Sequence, residues 1–254
     1  MSKLASNSKL LSASGSPAGQ IFFCGDVHGN FVHIIEAVIE HEPAAIVLLG
    51  DIQARKPLEL ELELSEIMGD TQVWFIHGNH DTDTEADYDN LFGSALADRN
   101  LHGRVVEIAG VRIAGLGGIF RGQVWQPPNA PNFKSSEDFT RRQGSGNRWR
   151  DGLALRHRST IFPDVYDQLA KLRADVLVTH EAPSVHPHGF DALNTLANRM
   201  RVQATFHGHH HDSIDYSAQW DRLEHKAFGV GFCGITTLEG EVIRAGDFDS
   251  GRKS

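Results

Sequence analysis

The sequence predicts an α/β fold, and three observations carry that expectation. Short apolar runs rich in β-branched and aromatic residues recur along the chain and read as buried strands. Segments with apolar residues at helical spacing lie between them. Five of the runs break off directly into side chains that bind metals. Ile21-Phe22-Phe23-Cys24 stops at Gly25-Asp26-Val27-His28-Gly29, and Ile46-Val47-Leu48-Leu49 stops at Gly50-Asp51. Val73-Trp74-Phe75-Ile76 runs through His77 into Gly78-Asn79-His80-Asp81. Val176-Leu177-Val178 leads to Thr179-His180, and Ala204-Thr205-Phe206 leads through His207 to Gly208-His209-His210-His211. Ligands gather beyond the carboxyl ends of strands in open α/β sheets, so five such endings in one chain describe a metal site.

The remaining elements follow in order. Residues 1–19 are Ser-rich, with Lys3 and Lys9 but no sustained apolar core, and read as a flexible tail rather than a signal peptide. Residues 20–248 read as a single domain. Asn30 to Glu40 places Ile34, Ile35, Val38 and Ile39 at helical spacing, with Asn30 as the expected N-cap. Pro57 opens a segment from Leu58 to Met68. Its leucines alternate like a strand, but its Glu content and the closing Gly69 favour helix. Strand–helix–strand alternation of this kind predicts parallel neighbours. Arg104–Ile108 and Val111–Ala114 flank Ala109-Gly110 as a hairpin. The stretch from Ala227 through Ile235 to Ile243 is strand-like, with a turn at Glu239-Gly240, and is expected to join the hairpin in a second sheet. Residues 249–254 form a polar tail.

The interval 119–160 stands apart. It holds Pro127-Pro128, Pro131, Gly144 and Gly146 with little periodicity, and long loops of this kind tend to be lids or binding segments. Arg121, Lys134, Arg141, Arg142, Arg148, Arg150, Arg156 and Arg158 face only Glu137, Asp138 and Asp151, so the segment is basic within an acidic chain. Trp125 and Trp149 lie in it as well. Arg forks bind phosphate and indoles stack on bases or sugars, which marks Arg121, Arg148 and Arg150 near the segment's ends as substrate-binding candidates. The competing reading is a solvated insertion whose tryptophans pack it against the body.

A chain of 254 residues can bury a good core. Its net charge of −9 argues against a broad nucleic-acid or acidic-membrane surface, although the basic interval leaves a local nucleic-acid patch open. Two cysteines, Cys24 and Cys233, provide no disulfide framework, which fits a reducing compartment. No apolar stretch is long enough to span a bilayer, and the cytoplasm is the expected location.

The donors are imidazole nitrogen, carboxylate oxygen and one amide oxygen, without thiolate. That set suits Mn, Fe, Zn or Ni in a catalytic site better than a Cys-rich structural zinc site. Asp26 and His28 are two apart, as are His209 and His211, so each pair is expected on one side of an extended backbone, with His207 and His210 facing away. Seven donors are too many for one tetrahedral ion but suit two ions sharing a carboxylate, a recurring device in phosphate ester chemistry.

The ordered set Asp-x-His, Gly-Asp, Gly-Asn-His-Asp, His, Gly-His-x-His resembles the calcineurin-like metallophosphoesterase superfamily. It spans Asp26 to His211 with all five blocks in the family's order. The resemblance implies a four-layer α/β/β/α sandwich of two mixed sheets. It implies two divalent ions, Mn first, with Asp26, His28 and His211 on one, Asn79, His180 and His209 on the other, and Asp51 bridging. A water shared by the ions would attack a phosphoester in line, and His80 would protonate the leaving oxygen. Asp81 either orients the His80 ring or caps a loop. The second block, Gly50-Asp51-Ile52-Gln53-Ala54-Arg55, departs from the Gly-Asp-x-x-Asp-Arg-Gly of Ser/Thr protein phosphatases, and the third ends in Asp rather than Glu. The pattern therefore looks more like phosphoesterases of small substrates such as nucleotides. A protein phosphatase, a nucleic-acid processing enzyme and a non-catalytic scaffold of the retromer-subunit kind are the alternatives. His186 and His188 read as a plain loop near the site.

Overall fold

The computed structural model describes residues 20–63, 69, 71–150 and 152–249. The expected tail at 1–19, the expected tail at 249–254 apart from Asp249, and the later part of the expected Leu58–Met68 helix lie outside the described residues; Asp249 accepts from the Ser213 and Gly246 N–H groups. Ten strands form two five-stranded mixed sheets among them.

The first sheet is built on β1 (Ile21–Cys24), β2 (Ala45–Leu49) and β3 (Gln72–Ile76), which lie parallel and in that order. The second starts from the expected hairpin, β4 (Val105–Ile108) and β5 (Val111–Leu116). Its turn residues Ala109 and Gly110 both have positive φ, 49° and 81°, which matches the twist of a two-residue hairpin. Then β6 (Val176–Thr179), β7 (Ala204–His207) and β8 (Lys226–Gly229) follow β5 in parallel.

The last two strands, β9 (Ile235–Thr237) and β10 (Val242–Arg244), do not join the second sheet as expected. They add antiparallel to β1 in the first. The chain crosses between sheets at Val230–Gly234. There the Cys233 N–H donates to the Asp26 carbonyl at 2.9 Å and Gly25 N–H donates to Gly234 at 3.0 Å. These bonds commit β9 and β10 to the β1 edge.

Helices cover the outer faces. In chain order they are α1 (Val32–His41), α2 (Leu58–Glu61), α3 (Glu85–Phe92), α4 (Ser136–Arg142), α5 (Pro163–Leu169), α6 (Asp191–Met200) and α7 (Trp220–Leu223). Strand alternation separates the cores. Ile21 and Phe23 point inward to meet Val178 and Phe206 of the second sheet, and Phe23 stacks on Phe206 with centroids 3.8 Å apart. Phe22 and Cys24 point outward to Ile34 and Val38 of α1, and Leu58 and Leu91 close the same layer. Across the molecule, Leu116 and Leu177 pack on Tyr166 of α5 and Leu196 and Met200 of α6. Four layers, α/β/β/α, result.

Local signals explain the helix ends. Helix α1 is capped at Phe31 rather than at Asn30, and its amino end has no side-chain cap. The Asn30 amide instead lies 3.9 Å from the Cys233 sulfur, tied to the crossing loop. Thr84 and Asp87 form a reciprocal capping box at the start of α3.

The interval 119–160 is not structureless. It contains α4, short 3₁₀ turns and a small core of Val124 and Phe139 against Phe162. Its aromatics are spaced irregularly because they converge on a centre rather than on one helical stripe, so no period betrayed them. Trp125 packs edge-on against Phe120 and Tyr166. Trp149 packs against Tyr88 of α3, donating its indole N–H to Glu85 at 2.9 Å.

Candidate metal centre

Strands β1, β2 and β3 of one sheet and β6 and β7 of the other end at a common edge, where their following loops interlock. His28 N–H donates to the Asp51 carbonyl at 3.0 Å, and His209 N–H donates to the Asp26 carboxylate at 2.8 Å. Glycines make the close approach possible. A Cβ on Gly78 would lie 2.2 Å from Asp51 Oδ1, and one on Gly208 would lie 2.3 Å from Asp26 Oδ1.

Two groups of candidate ligands form there. Asp26, His28, Asp51 and His211 present donor atoms within 4.8 Å of one another, and so do Asp51, His180 and His209. Asp51 belongs to both. His211 Nε2 lies 3.2 Å from His28 Nε2 and 3.2 Å from Asp26 Oδ2. His180 Nε2 lies 3.3 Å from Asp51 Oδ2 and 3.3 Å from Asn79 Oδ1. Donors about 2.0–2.2 Å from a common cation stand roughly 3–3.5 Å from each other at tetrahedral or octahedral angles, so these separations fit ions at the two centres. All seven residues expected as ligands meet at this edge.

The route to that convergence differs from expectation. The i, i+2 pairs do not use alternation along an extended strand. His28, Asp51, His209 and His211 have φ of 42°, 47°, 72° and 60°, in the left-handed region that non-glycine residues seldom adopt. Each such residue costs about 1–3 kcal/mol, and clustering of this strain marks functional sites. The same turns alter the outer histidines. His207 is buried and lies 3.1 Å from the Tyr216 hydroxyl, away from the centre. His210 does not simply face away: its ring stacks on His186 at 3.9 Å, and it forms a third group of donors with Glu181 and His209.

Imidazole partners select the nitrogens left for a cation. His180 Nδ1 donates to the Leu49 carbonyl at 2.8 Å, leaving Nε2 toward Asp51. His28 Nδ1 donates to Gln53 Oε1 at 2.5 Å, leaving Nε2 toward His211. His209 Nδ1 is buried without a hydrogen-bond partner among the described residues, an arrangement that is costly unless something else binds it. Burial opposes ionisation of Asp51, but the His180 charge and hydrogen bonds from His180 and the His80 N–H outweigh it and hold the carboxyl well below its ordinary range. Burial likewise opposes charge on His180, yet Asp51 and Asp26 draw positive charge onto it and raise it. The field that favours a proton there also favours a cation in its place.

Around this centre, His80 N–H donates to Asp51 Oδ1 at 2.8 Å, and its ring is 44% exposed. Its Nδ1 lies 2.5 Å from Asp83 Oδ2. Burial lowers His80, but Asp83 and Asp51 overcome this and leave it raised. Among the described residues the His80 ring bonds to Asp83, not to Asp81. Asp81 ties loops together, accepting from the N–H groups of Ile52, Gln53 and Gly78 at 2.7–2.8 Å. Burial and the Asp51 charge push Asp81 up to about 7 against those donors.

The three arginines separate. Arg121 reaches Ser159 Oγ at 3.2 Å, and its Nε is buried without a hydrogen-bond partner among the described residues. The carboxylates that raise it, Asp83 and Glu181, adjoin the site, although burial and Arg156 lower it overall. Arg150 is engaged on α3, with both Asp89 oxygens 2.7 Å from its Nη2 and its guanidinium 4.0 Å from the Trp149 ring centre. Arg148 is exposed, and its Nη2 lies 3.4 Å from the Thr140 carbonyl. Gln53, Asp83 and Glu181 were not singled out from the sequence. Their signals were adjacency alone: two after Asp51, three after His80, one after His180.

Comparison with known proteins agrees with the geometry. A protein of Haemophilus influenzae described as uncharacterised is 44% identical over 223 residues, covering 88% of this chain and 96% of its own. Solved structures share the fold at low identity. One has a TM-score of 0.53 at 14% identity, covering 89% of this chain and 98% of its own. The crystal structure of TT1561 from Thermus thermophilus has a TM-score of 0.52 at 11% identity, covering 85% of this chain and 93% of its own. The sequence model for calcineurin-like phosphoesterases matches residues 19–213, the stretch that holds both sheets' site loops and every candidate ligand. With strand-end donors, sandwich and match in agreement, the chain belongs to the calcineurin-like phosphoesterase family.

Proposed function

We propose that this protein is a dinuclear metallophosphoesterase that hydrolyses small phosphate mono- or diesters, nucleotides among them. The observation that carries the reading is Asp51, whose carboxylate belongs to both donor groups. Asp26, His28 and His211 hold one divalent cation with it, and Asn79, His180 and His209 the other. Mn²⁺ suits this mixed imidazole and carboxylate set. When bound, two such cations supply Lewis-acid charge to the phosphoryl oxygens and acidify the attacking water.

The chain's own groups do the rest. His28 and His180 are held by Gln53 and Leu49 so that their Nε2 atoms face the centre. His80, partly exposed beside Asp51, protonates the departing oxygen. Arg121, half-buried beside Asp83 and Glu181 of the site, receives a free phosphoryl oxygen. Arg150 holds the insertion on α3 through Asp89 and Trp149 rather than substrate. The departures of the second block from the protein-phosphatase pattern, with Ala54 where that pattern has Asp, support a small substrate.

The test is a metal-reconstituted panel of aryl monoesters, aryl diesters, cyclic nucleotides and phosphopeptides, read beside elemental analysis. Two ions per chain with turnover of small esters is expected. One ion or fewer in metal-replete buffer, or turnover confined to phosphopeptides, would overturn the reading.

A further inference from the structure

We propose that Asp83 is the positioning residue for His80, holding the proton on Nδ1 so that Nε2 faces the substrate. The inference rests on the assignment of His80 as the acid. It begins with the 3₁₀ turn His80–Thr82, after which the Asp83 N–H donates back to the His80 carbonyl at 3.3 Å. In a 3₁₀ turn, side chains at i and i+3 lie one above the other, so Asp83 is brought against His80 by backbone geometry.

The turn is pinned on three sides. The His80 N–H is fixed by Asp51, and Asp81 is fixed by three backbone N–H groups. Thr82 Oγ1 shares a 2.7 Å hydrogen bond with Ser159 Oγ, which Arg121 also contacts. A short surface contact between two mobile side chains is worth little. Here the backbone of both partners is immobilised by the same loops that shape the metal centre, so the 2.5 Å contact from His80 Nδ1 to Asp83 Oδ2 is preorganised.

A carboxylate only accepts, so the hydrogen between them belongs to Nδ1. The protonated ring then carries its second proton on Nε2. As the oxygen of the attacking water, having given a proton to solvent, bonds to phosphorus, the phosphorus–oxygen bond to the leaving group breaks and its electron pair goes to the leaving oxygen, which takes the Nε2 proton. The neutral ring keeps its Nδ1 proton on Asp83 and is ready to be recharged from water. Without the carboxylate, the neutral ring is free to rotate or to hold its hydrogen on Nε2.

The test uses the full-length protein loaded with diamagnetic Zn²⁺ and has two readouts. Long-range ¹⁵N–¹H spectra, recorded at a pH where the His80 ring is neutral and with His80 assigned by its loss in His80→Gln, report which nitrogen carries the proton. Nδ1–H is expected in the parent, and a shift toward Nε2–H in Asp83→Ala. The same substitution should lower kcat on alkyl esters by about 10–100-fold, with KM and metal content unchanged and aryl esters much less affected. Asp83→Asn, which keeps an acceptor without the charge, should fall between. An unchanged His80 tautomer in Asp83→Ala overturns the proposal whatever the rates. A shifted tautomer with equal rates on both ester classes refutes His80 as the acid, while Asp83's hold on the ring stands.

Discussion

At the scale of single residues, the centre turns on a few groups whose removal has distinguishable effects. Asp51→Asn removes charge shared by two donor groups, so both metal sites should weaken together, read as metal stoichiometry falling from two toward zero. His80→Ala should leave metal content intact and lower kcat by about 10²–10⁴-fold on esters with poor leaving groups, with a smaller loss on activated aryl esters. Equal losses would show that His80 is not the acid. Arg121→Ala removes charged hydrogen bonds worth about 1.5–3 kcal/mol each, so kcat/KM should fall about 10–100-fold with folding unchanged. Arg150→Ala should leave kcat/KM alone, because its guanidinium is committed to Asp89 and Trp149. The seven candidate ligands were legible in the sequence because each sits where an apolar run stops. Their orienting partners were not. Gln53 meets His28 only through a left-handed backbone, and Asp83 meets His80 only through a 3₁₀ turn, neither of which leaves a periodic trace.

At the scale of elements, the strand runs and the Ala109-Gly110 hairpin could be read from composition and turn chemistry, and so could the α1 stripe. The destination of β9 and β10 could not, because pairing is set by the crossing at Val230–Gly234 rather than by the strands' own residues. The insertion was misjudged as loop for a related reason: Val124, Phe139 and Phe162 come together from separate turns. Two of its cations are spent on docking. Arg150 and Arg158 both pack over Trp149, which itself contacts α3. Trp149→Ala should therefore speed hydrogen exchange and proteolysis across residues 143–150 while metal content holds. Protection equal to the parent's would show that the contact does not hold the insertion. Thr84→Ala removes the capping box of α3 and should cost about 0.5–2 kcal/mol, read as a lower midpoint in denaturant.

At the scale of the whole molecule, two sheets share one core, with Phe23 stacked on Phe206 across it. No helix among the described residues is long and apolar enough to cross a membrane. Metal binding should act on global stability as well as on rate. At free metal 100 times Kd, each site should add about 2.7 kcal/mol, which for a chain of this size raises Tm by about 5–11 °C. A Tm unmoved by chelation would mean that the cations bind folded and unfolded chains alike. The strand topology gives this coupling a direction. Each donor group takes residues from both sheets: Asp26, His28 and Asp51 follow β1 and β2, whereas His180, His209 and His211 follow β6 and β7. Two cations bound as proposed would thus rivet one rim of the sandwich, while the core behind it is held by side-chain packing. Loss of metal would leave that rim to the hydrogen bonds from His209 to Asp26 and from His180 to Leu49, so the sheets would begin to part, like the covers of a book, from the metal edge.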